Sequence, residues 1–226
     1  ERIVGTNAAS DEAYAQLYMN DKLDFGGFAL QIGSFEAAKD KNPNVRSWNA
    51  EGPIYGAPDG CMYQLMLNNN RFDDVNVRLA LNYALDRQEI VDLAYQGATV
   101  PKEYPVSMYV MGAWGDILQP VIEKYRRDAH DLGKVDEYME EAGYEKNADG
   151  WWEKDGEVLE FTILVPQSWA PLGPVLAEQF IEAGFKAEEQ LDTANQWPNQ
   201  VNVAEYDALA FVHCGSNFEP FDSSER

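Results

Sequence analysis

The sequence contains only two cysteines and two histidines, and this shortage limits the chemistry that its sites can perform. Cys61 and Cys214 each lie in a strand-like stretch. They can pair in an oxidising compartment if those strands are neighbours, or they can remain two buried thiols, and the sequence leaves both open. His130 and His213 have no metal-ligand spacing around them and cannot form a closed metal site by themselves. The sequence therefore predicts neither a metal nor a cofactor.

Long apolar runs are also missing, because no stretch approaches the roughly 18 residues that a membrane-spanning helix needs. The chain does not open with a basic segment followed by an apolar one, and its first residue is glutamate rather than methionine. A removed export signal and a start within a longer protein both fit these observations, and the sequence does not separate them.

Cations are scarce. The chain has 17 lysine and arginine residues against 39 aspartate and glutamate residues, which gives a formal net charge of −22. A surface of that sign repels phosphate backbones, so the sequence predicts no nucleic-acid partner. The carboxylates are spread along the chain rather than gathered in one tail. This distribution favours a strongly solvated surface, as in secreted or salt-adapted proteins, over an acidic partner site.

The chain does contain enough apolar residues, 45% of 226, to build a sizeable core. Short apolar runs and period-2 alternation predict strands, and helical patterns fill the gaps between them. Strands that alternate with helices indicate an α/β fold with a mixed sheet, which we predict as one domain over residues 1–226. The predicted strands are residues 2–6, 62–68, 159–165, 185–191 and 206–212.

The stretch FDDVNVRLALNYALDR, residues 72–87, predicts two short helices that share one core. Asp73 or Asp74 can accept hydrogen bonds from the free amides where the first helix begins. Asp86, followed three residues later by Glu89, offers a similar arrangement for the second helix. The first helix carries an apolar stripe at helical spacing, formed by Val77, Ala80, Leu81, Ala84 and Leu85.

Residues that favour helix starts or helix ends predict four further helices. Ser10 or Asp11 can cap a helix near the beginning of the chain, and Pro120 suits the first turn of the helix QPVIEKYRR. The amphipathic stretches DLGKVDEYMEEAG and GPVLAEQFIEAG end at Gly143 and Gly184, the residue type that favours a helix C-terminus.

The dipeptide Asp155-Gly156 predicts a hairpin turn between two strand-prone stretches. Trp151 and Trp152 are adjacent, so their side chains should point to opposite faces of a strand. We expect one of the two rings to be packed and the other to be partly exposed.

The stretch LNNNRFDDVNVRLALNYALDRQEIVDLAYQGATVPKEYPV resembles the segment that marks the family 5 extracellular solute-binding proteins of ABC importers, which include dipeptide- and oligopeptide-binding proteins. The family pattern has a strand ending in Asn, a Phe-Asp-Asp-Val opening, a helix of the form Arg-x-Ala-hydrophobic-x-Tyr-Ala-hydrophobic-Asp-Arg, then a Gly and a Pro-containing loop. Weaker similarity extends over essentially the whole chain. The residues that match the motif are Phe72, Asp73, Asp74, Val75, Val77, Arg78, Ala80, Leu81, Tyr83, Ala84, Asp86, Arg87, Ile90 and Gly97.

This resemblance implies one mixed-sheet α/β lobe of a two-lobed fold like that of periplasmic binding proteins, whose lobes close around a solute. The chain fits the second lobe. Its implied partners are the first lobe of the same protein, the ABC permease subunits and a small or oligomeric solute, peptide or sugar. The implied location is extracellular or periplasmic, with lipid attachment to the membrane surface left open.

The resemblance also implies a ligand-edge loop at residues 103–116, EYPVSMYVMGAWGD. Trp114 is the predicted stacking platform for a ligand, and Tyr109 and Met111 are the predicted wall residues. The alternative is that Trp114 packs on its own domain.

A second predicted ligand edge is VHCGSNFEP, residues 212–220. Peptide-binding relatives carry an Asp near this point that pairs with the amino terminus of the peptide, whereas this sequence offers Ser216 and Asn217, then Glu219. A neutral amide cannot make the same charge-assisted bond to an ammonium group, which places a peptide ligand in question. Relatives that bind oligosaccharides offer tryptophan platforms together with Asn, Gln and Asp side chains. Sugar faces stack on aromatic rings. Two more tryptophans are therefore candidates, with a structural role as the alternative: Trp169 and Trp197.

Three classes of function compete. The resemblance favours a non-catalytic substrate-binding component of an ABC transporter that captures an oligopeptide or an oligosaccharide. A glycan-acting hydrolase would need two carboxyl groups about 5–10 Å apart, one of them with a raised pKa, and no local spacing predicts such a pair. A pure interaction module is the third class. We therefore predict a binding protein and not an enzyme.

Overall fold

The computed structural model describes residues 2–6, 8, 10–26, 30–56, 61–102, 108–125 and 129–213. Internal contacts divide the chain into two compact units, residues 1–57 with 95–100 and residues 58–94 with 101–226. The single domain expected over residues 1–226 stays a prediction. Within the described ranges, no helix is both long enough and apolar enough to cross a membrane.

The first unit contains helix α1, Asp11–Met19, and helix α2, Ile32–Lys41. Ser10 caps α1, as predicted, because its side-chain oxygen accepts a hydrogen bond from the backbone N–H of Ala13 at 3.2 Å. Helix α2 has no side-chain cap, and among its residues only Ala38 is buried. It therefore lacks the two signals, a cap and an apolar stripe, from which a helix is predicted.

The strand predicted at residues 2–6 is wrong, because these residues have no regular secondary structure. Ile3 is 100% exposed and Val4 is 66% exposed. An apolar run becomes a strand only when a neighbouring strand takes up its backbone hydrogen bonds and a core covers its side chains. Neither is present here among the described residues, so the apolar run alone does not make a strand.

The strands of the second unit form two sheets. The larger sheet has the order β1-β7-β5-β6, in which β1 and β7 are antiparallel while β7, β5 and β6 are mutually parallel. The smaller sheet is the antiparallel set β2-β3-β4. The predicted mixed α/β fold is thereby confirmed. The strands are β1 Met62–Leu67, β2 Glu145–Lys146, β3 Trp152–Lys154, β4 Glu157–Val158, β5 Glu160–Pro166, β6 Lys186–Asp192 and β7 Ala208–His213.

In the described ranges, six helices and one short 3-10 helix alternate with several of these strands along the chain. They are α3 Val75–Tyr83, α4 Arg87–Tyr95, α5 Met108–Tyr125, α6 Leu132–Glu141, α7 Leu172–Glu182 and α8 Trp197–Asn202, with a short 3-10 helix at Gln167–Trp169. Helix α6 packs on α3, and α7 packs on β5 and β6. Four phenylalanines meet between these layers with ring centroids 5.3 to 6.3 Å apart: Phe72, Phe161, Phe180 and Phe185.

The two predicted helices of residues 72–87 are confirmed as α3 and the start of α4. Asp74 caps α3 by accepting a hydrogen bond from the N–H of Asn76 at 2.8 Å. Asp86 caps α4 in the same way, accepting from the backbone N–H groups of the second and third residues after it. The predicted apolar stripe is buried: Val77, Ala80, Leu81, Ala84 and Leu85 are at most 8% exposed.

Helix α5 contradicts two predictions. The loop expected at residues 103–116 is helical from Met108 onward, and Pro120, expected in a first turn, lies inside the helix. Residues 103–107 lie outside the described part of the chain. A proline within a helix removes one backbone hydrogen bond, so the sequence rule places it at a start. Here the helix continues on both sides of Pro120 in spite of that lost bond.

The predicted hairpin at Asp155-Gly156 is confirmed between β3 and β4. Both residues have positive φ, 55° and 83°, as the tight turn between paired strands requires. The two adjacent tryptophans also behave as predicted. Trp152 is 2% exposed and donates its indole N–H to the carbonyl of Ala183, while Trp151 is only half-buried.

Cys61, immediately before β1, is disulfide-bonded. The sequence contains one other cysteine, Cys214, which lies outside the described residues. The register of β1 and β7 pairs Met62 with His213, so the two cysteine-bearing stretches are neighbours, which is the condition that the sequence set for a disulfide.

Candidate ligand-binding site

The carboxyl ends of the three parallel strands lie at one edge of the larger sheet. In open α/β sheets this edge is where ligands bind, because loops of different strands meet there. The 3-10 helix that carries Trp169 follows β5 directly, and Trp197 begins α8 a few residues after β6. Because β1 runs antiparallel to β7, its first residues, including Tyr63, lie at the same edge.

Four aromatic residues at this edge form a connected group, which we call the aromatic cluster: Tyr63, Trp169, Trp197 and Phe211. The rings of Tyr63 and Trp169 are 5.7 Å apart between centroids and nearly perpendicular, at 85°. Trp169 and Phe211 are 6.2 Å apart at 80°, and Phe211 and Trp197 are 4.9 Å apart at 55°. The first two pairs are edge-to-face and the third is tilted, and all three lie at distances at which aromatic pairs attract each other beyond simple burial.

The aromatic cluster remains open to solvent. Tyr63 is 50% exposed, and the other three rings are half-buried. Large aromatic side chains of a core are normally covered, as the four phenylalanines beneath this sheet are. A connected and partly exposed aromatic surface at a sheet edge is suited to stack on the flat faces of a bound molecule.

Asp192, the last residue of β6, fixes the position of Trp197. Its Oδ2 accepts a hydrogen bond from the backbone N–H of Trp197 at 2.7 Å. The Asp192 residue is buried, with 7% of its surface exposed. Burial raises the pKa of this carboxyl, but hydrogen bonds from backbone N–H groups, first those of Gln196 and Trp197, outweigh burial and leave the pKa below its ordinary value. The carboxylate is therefore ionised at neutral pH.

The structure brings together two of the sequence-predicted tryptophans. Trp169 and Trp197 both contact Phe211, which thereby joins them in one surface. Sequence patterns do not single out Tyr63 or Phe211, because an aromatic residue in a strand normally indicates core. The signal that could have found them is position: each lies at the end of its strand that meets this edge.

The other predicted site residues are not placed at this edge by the described structure. Trp114 lies in α5 and is half-buried there. The backbones of Tyr109 and Met111 belong to the same helix, and their side chains are outside the description. Ser216 and Asn217, with the Glu219 that follows them, lie beyond the described residues, so their predicted role stays a prediction.

A concave region of about 300 Å³ lies near the start of β5, away from the cluster. Its cations already serve the fold. Arg71 donates to the backbone carbonyl of Glu160 at 2.7 Å, and Lys154 donates to that of Ala142 at 2.7 Å. Asp74, also in its lining, caps α3. We therefore regard this region as structural.

No group of three or more histidine, cysteine, aspartate or glutamate side chains in the described part of the chain could hold a metal ion. This edge instead presents partly exposed aromatic rings, with the carboxylate of Asp192 bonded to the backbone of Trp197.

Comparison with known families decides which kind of protein carries this edge. The family model described as "Bacterial extracellular solute-binding proteins, family 5 Middle" matches residues 2–226. The chain belongs to this family. Family 5 solute-binding proteins are non-enzymatic components of transport systems, in agreement with the predicted absence of an enzyme.

Individual relatives agree with the family assignment. The oligopeptide-binding protein AppA of Bacillus subtilis (strain 168) is 29% identical over 148 residues, which are 64% of this chain and 26% of AppA. The structure of AppA in complex with a nonapeptide has a TM-score of 0.67 at 21% identity, covering 92% of this chain and 40% of AppA.

A second solved structure is more similar in shape. The mannohexaose-bound periplasmic oligopeptide-binding protein of Thermotoga maritima has a TM-score of 0.74 at 19% identity, covering 92% of this chain and 39% of the other. At these identities the solved structures show the fold alone. This family 5 chain spans about a quarter to two fifths of the length of these relatives.

Proposed function

We propose that this chain is part of the substrate-binding component of an ABC importer and that the aromatic cluster is one wall of its solute site. The observation that carries the proposal is the position of the cluster, at the carboxyl edge of the sheet in a member of a solute-binding family. The proposed partners are the first lobe of the same protein and the ABC permease subunits. The proposed location is outside the cell or in the periplasm, with attachment through a lipid as the proposed link to the membrane surface.

An oligosaccharide is the solute that the cluster favours. Sugar rings present flat C–H faces that stack on tryptophan and tyrosine, and successive sugars can use successive rings. A Thermotoga maritima relative of the same fold is bound to mannohexaose. An oligopeptide is the second candidate, because AppA of the same family binds a nonapeptide. Neither candidate requires chemistry on the solute.

One wall of a two-sided site should bind weakly. Closure of two lobes expels water and adds contacts from the opposite side, so a single lobe lacks both contributions. We expect the 226-residue chain to fold and to bind either solute no more tightly than the millimolar range. Micromolar binding by this chain alone would contradict the two-sided site.

Isothermal titration calorimetry with mannohexaose and with a nonapeptide tests the proposal. We expect Trp197→Ala and Trp169→Ala to weaken binding of the preferred solute about fivefold or more, because each removes a stacking ring worth about 1 kcal/mol. Trp48→Ala is the matched control, since Trp48 is 77% exposed and is not part of the cluster. Equal affinities in the three variants and the wild type would contradict a cluster-lined site.

A further inference from the structure

The stretch of residues 193–206, which lies between β6 and β7, carries Trp197 but has little core of its own. Its only helix, α8, has six residues, and Thr193–Gln196 and Asn202–Glu205 are exposed. A helix this short is not stable by itself in water. Something other than local propensity must hold the segment, and with it the ring of Trp197.

Two buried polar side chains hold the segment at its two ends. At the first end, Asp192 accepts hydrogen bonds from the backbone N–H groups that open the segment, including that of Trp197 at 2.7 Å. At the second end, the side-chain NH₂ group of Asn68 donates two hydrogen bonds, one to the carbonyl of Ala204 at 3.0 Å and one to the carbonyl of Tyr206 at 2.7 Å. Asp192 is 7% exposed and Asn68 is 8% exposed.

The backbone near each end contains a residue in the left-handed region. Asn195 and Ala204 have φ of 55° and 56°, in the left-handed region. Asparagine enters this region readily, but alanine does so at a cost. The carbonyl of Ala204 is one of the two that Asn68 binds. The hydrogen bonds thus fix a turn that Ala204 would otherwise leave.

We propose that Asp192 and Asn68 are positioning residues that clamp the segment 193–206 and hold Trp197 against Phe211 in the ligand-binding wall. The inference rests on the proposed function for its effect on ligand binding. The ring contact concerned is the 4.9 Å pair of Trp197 and Phe211. Neither Asp192 nor Asn68 belongs to the aromatic cluster. A substitution at either residue should nevertheless move the ring of Trp197 away from Phe211.

Isosteric substitutions test the clamp. Asp192→Asn removes the charge and turns an amide N–H toward backbone N–H donors, while Asn68→Asp turns carboxylate oxygens toward two carbonyls. We expect each variant to raise the Kd for mannohexaose, or for the nonapeptide if that is the ligand, about fivefold. Asp149→Asn and Asn69→Asp are the controls, since both side chains are exposed, and they should leave Kd unchanged.

A double-mutant cycle separates positioning from general stability. In a Trp197→Ala background, Asp192→Asn should change Kd less than twofold, because the ring that Asp192 positions is already gone. Equal effects of Asp192→Asn in both backgrounds would overturn the proposal. If Asp192→Asn does not fold, Asn68→Ser, which keeps a hydroxyl donor, tests the other end in the same cycle.

Fluorine NMR of the chain labelled with 5-fluorotryptophan gives a readout without ligand. We expect the Trp197 signal to shift or broaden in Asp192→Asn and Asn68→Asp, while the Trp152 signal stays in place. An unchanged Trp197 signal in both variants would overturn the clamp. If the wild type binds neither mannohexaose nor the nonapeptide, the proposed function fails, and this spectrum still decides whether the two residues fix the ring.

Discussion

At the scale of single residues, the buried polar side chains of the described chain hold backbone in place. Three of them bond to groups more than twenty positions away in the sequence. Gln179, for example, accepts from the N–H of Asp86 at 3.1 Å and donates to the carboxylate of Glu89 at 2.7 Å, which joins α7 to the start of α4. Such roles follow from the fold and not from neighbours in the sequence. Asp192 instead accepts from the backbone N–H of Trp197, five positions further on. The four residues are Asn42, Asn68, Gln179 and Asp192.

Two members of the aromatic cluster could be named from the sequence, and the other two could not. Trp169 and Trp197 could be named as candidates because the faces of sugars stack on tryptophan rings. Tyr63 lies more than one hundred positions before Trp169, yet their rings are 5.7 Å apart. Only the strand order, with β7 between β1 and β5, brings these two together.

The first prediction concerns Asp192 and pH. Its pKa is lower in the folded protein than its ordinary value, so the ionised form stabilises the fold. That stabilisation is complete above the unfolded pKa, about 3.9, and is lost as the pH falls through the lower folded value. We expect Asp192→Asn to reduce the free energy of unfolding by about 1–3 kcal/mol at pH 7, and less at pH 3.

Urea unfolding at several pH values between 7 and 3 measures this difference. Asp149→Asn, an exposed change of the same kind, is the control and should match the wild type throughout. A constant difference between Asp192→Asn and the wild type over the whole pH range would show that the charge of Asp192 is not what stabilises the turn.

At the scale of helices and strands, prediction succeeded where caps and periodicity agree. Helices α3 and α6 have an aspartate cap and a buried stripe, and both were found near their predicted bounds. Helix α8 has no side-chain cap within its own segment and no buried residue, and it was missed. Residues 2–6 have the apolar run of a strand, but no strand in the described ranges pairs with them. Local sequence signals therefore predict a helix or strand correctly only where tertiary contacts also stabilise it.

The end of α7 gives the second prediction. Gly184 has φ of +92°, and an added Cβ would come within 3.0 Å of the carbonyl oxygen of Gly150 and 3.2 Å of the indole nitrogen of Trp152. We expect Gly184→Ala to lower the free energy of unfolding by about 1 kcal/mol or more. Alanine is strained at the positive φ of this position, and its Cβ would also lie too close to neighbouring atoms.

Thermal and urea unfolding of Gly184→Ala measure this effect, with Gly33→Ala as the control. Gly33 lies in helix α2, and a Cβ there meets nothing within 4 Å. Alanine in a helix is favoured over glycine by roughly 0.5–1 kcal/mol, so Gly33→Ala should leave stability unchanged or raise it. A Gly184→Ala protein as stable as the wild type would show that α7 ends without need of the left-handed residue.

At the scale of the whole molecule, charge is the dominant feature. The formal net charge of −22 arises from carboxylates spread along the chain, and the described ion pairs are few and mostly exposed. Repulsion among these carboxylates opposes folding, and salt screens it by shortening the Debye length from about 10 Å at 0.1 M to about 3 Å at 1 M.

We therefore expect the melting temperature to rise as sodium chloride increases from low concentration to about 1 M. Differential scanning calorimetry at constant pH measures the change. Potassium chloride at the same ionic strength is the control, and it should act equally if screening is the cause. A melting temperature that falls or stays constant with salt would contradict repulsion as the main electrostatic term.

The aromatic cluster is the proposed wall that a solute contacts. Proton–nitrogen NMR of the labelled chain during titration with mannohexaose, and separately with the nonapeptide, tests this directly. We predict that the indole N–H signals of Trp169 and Trp197 shift with millimolar ligand, while those of the exposed Trp48 and the buried Trp152 do not. Shifts at Trp48 with the cluster signals unmoved, or no shift with either ligand, would contradict the account.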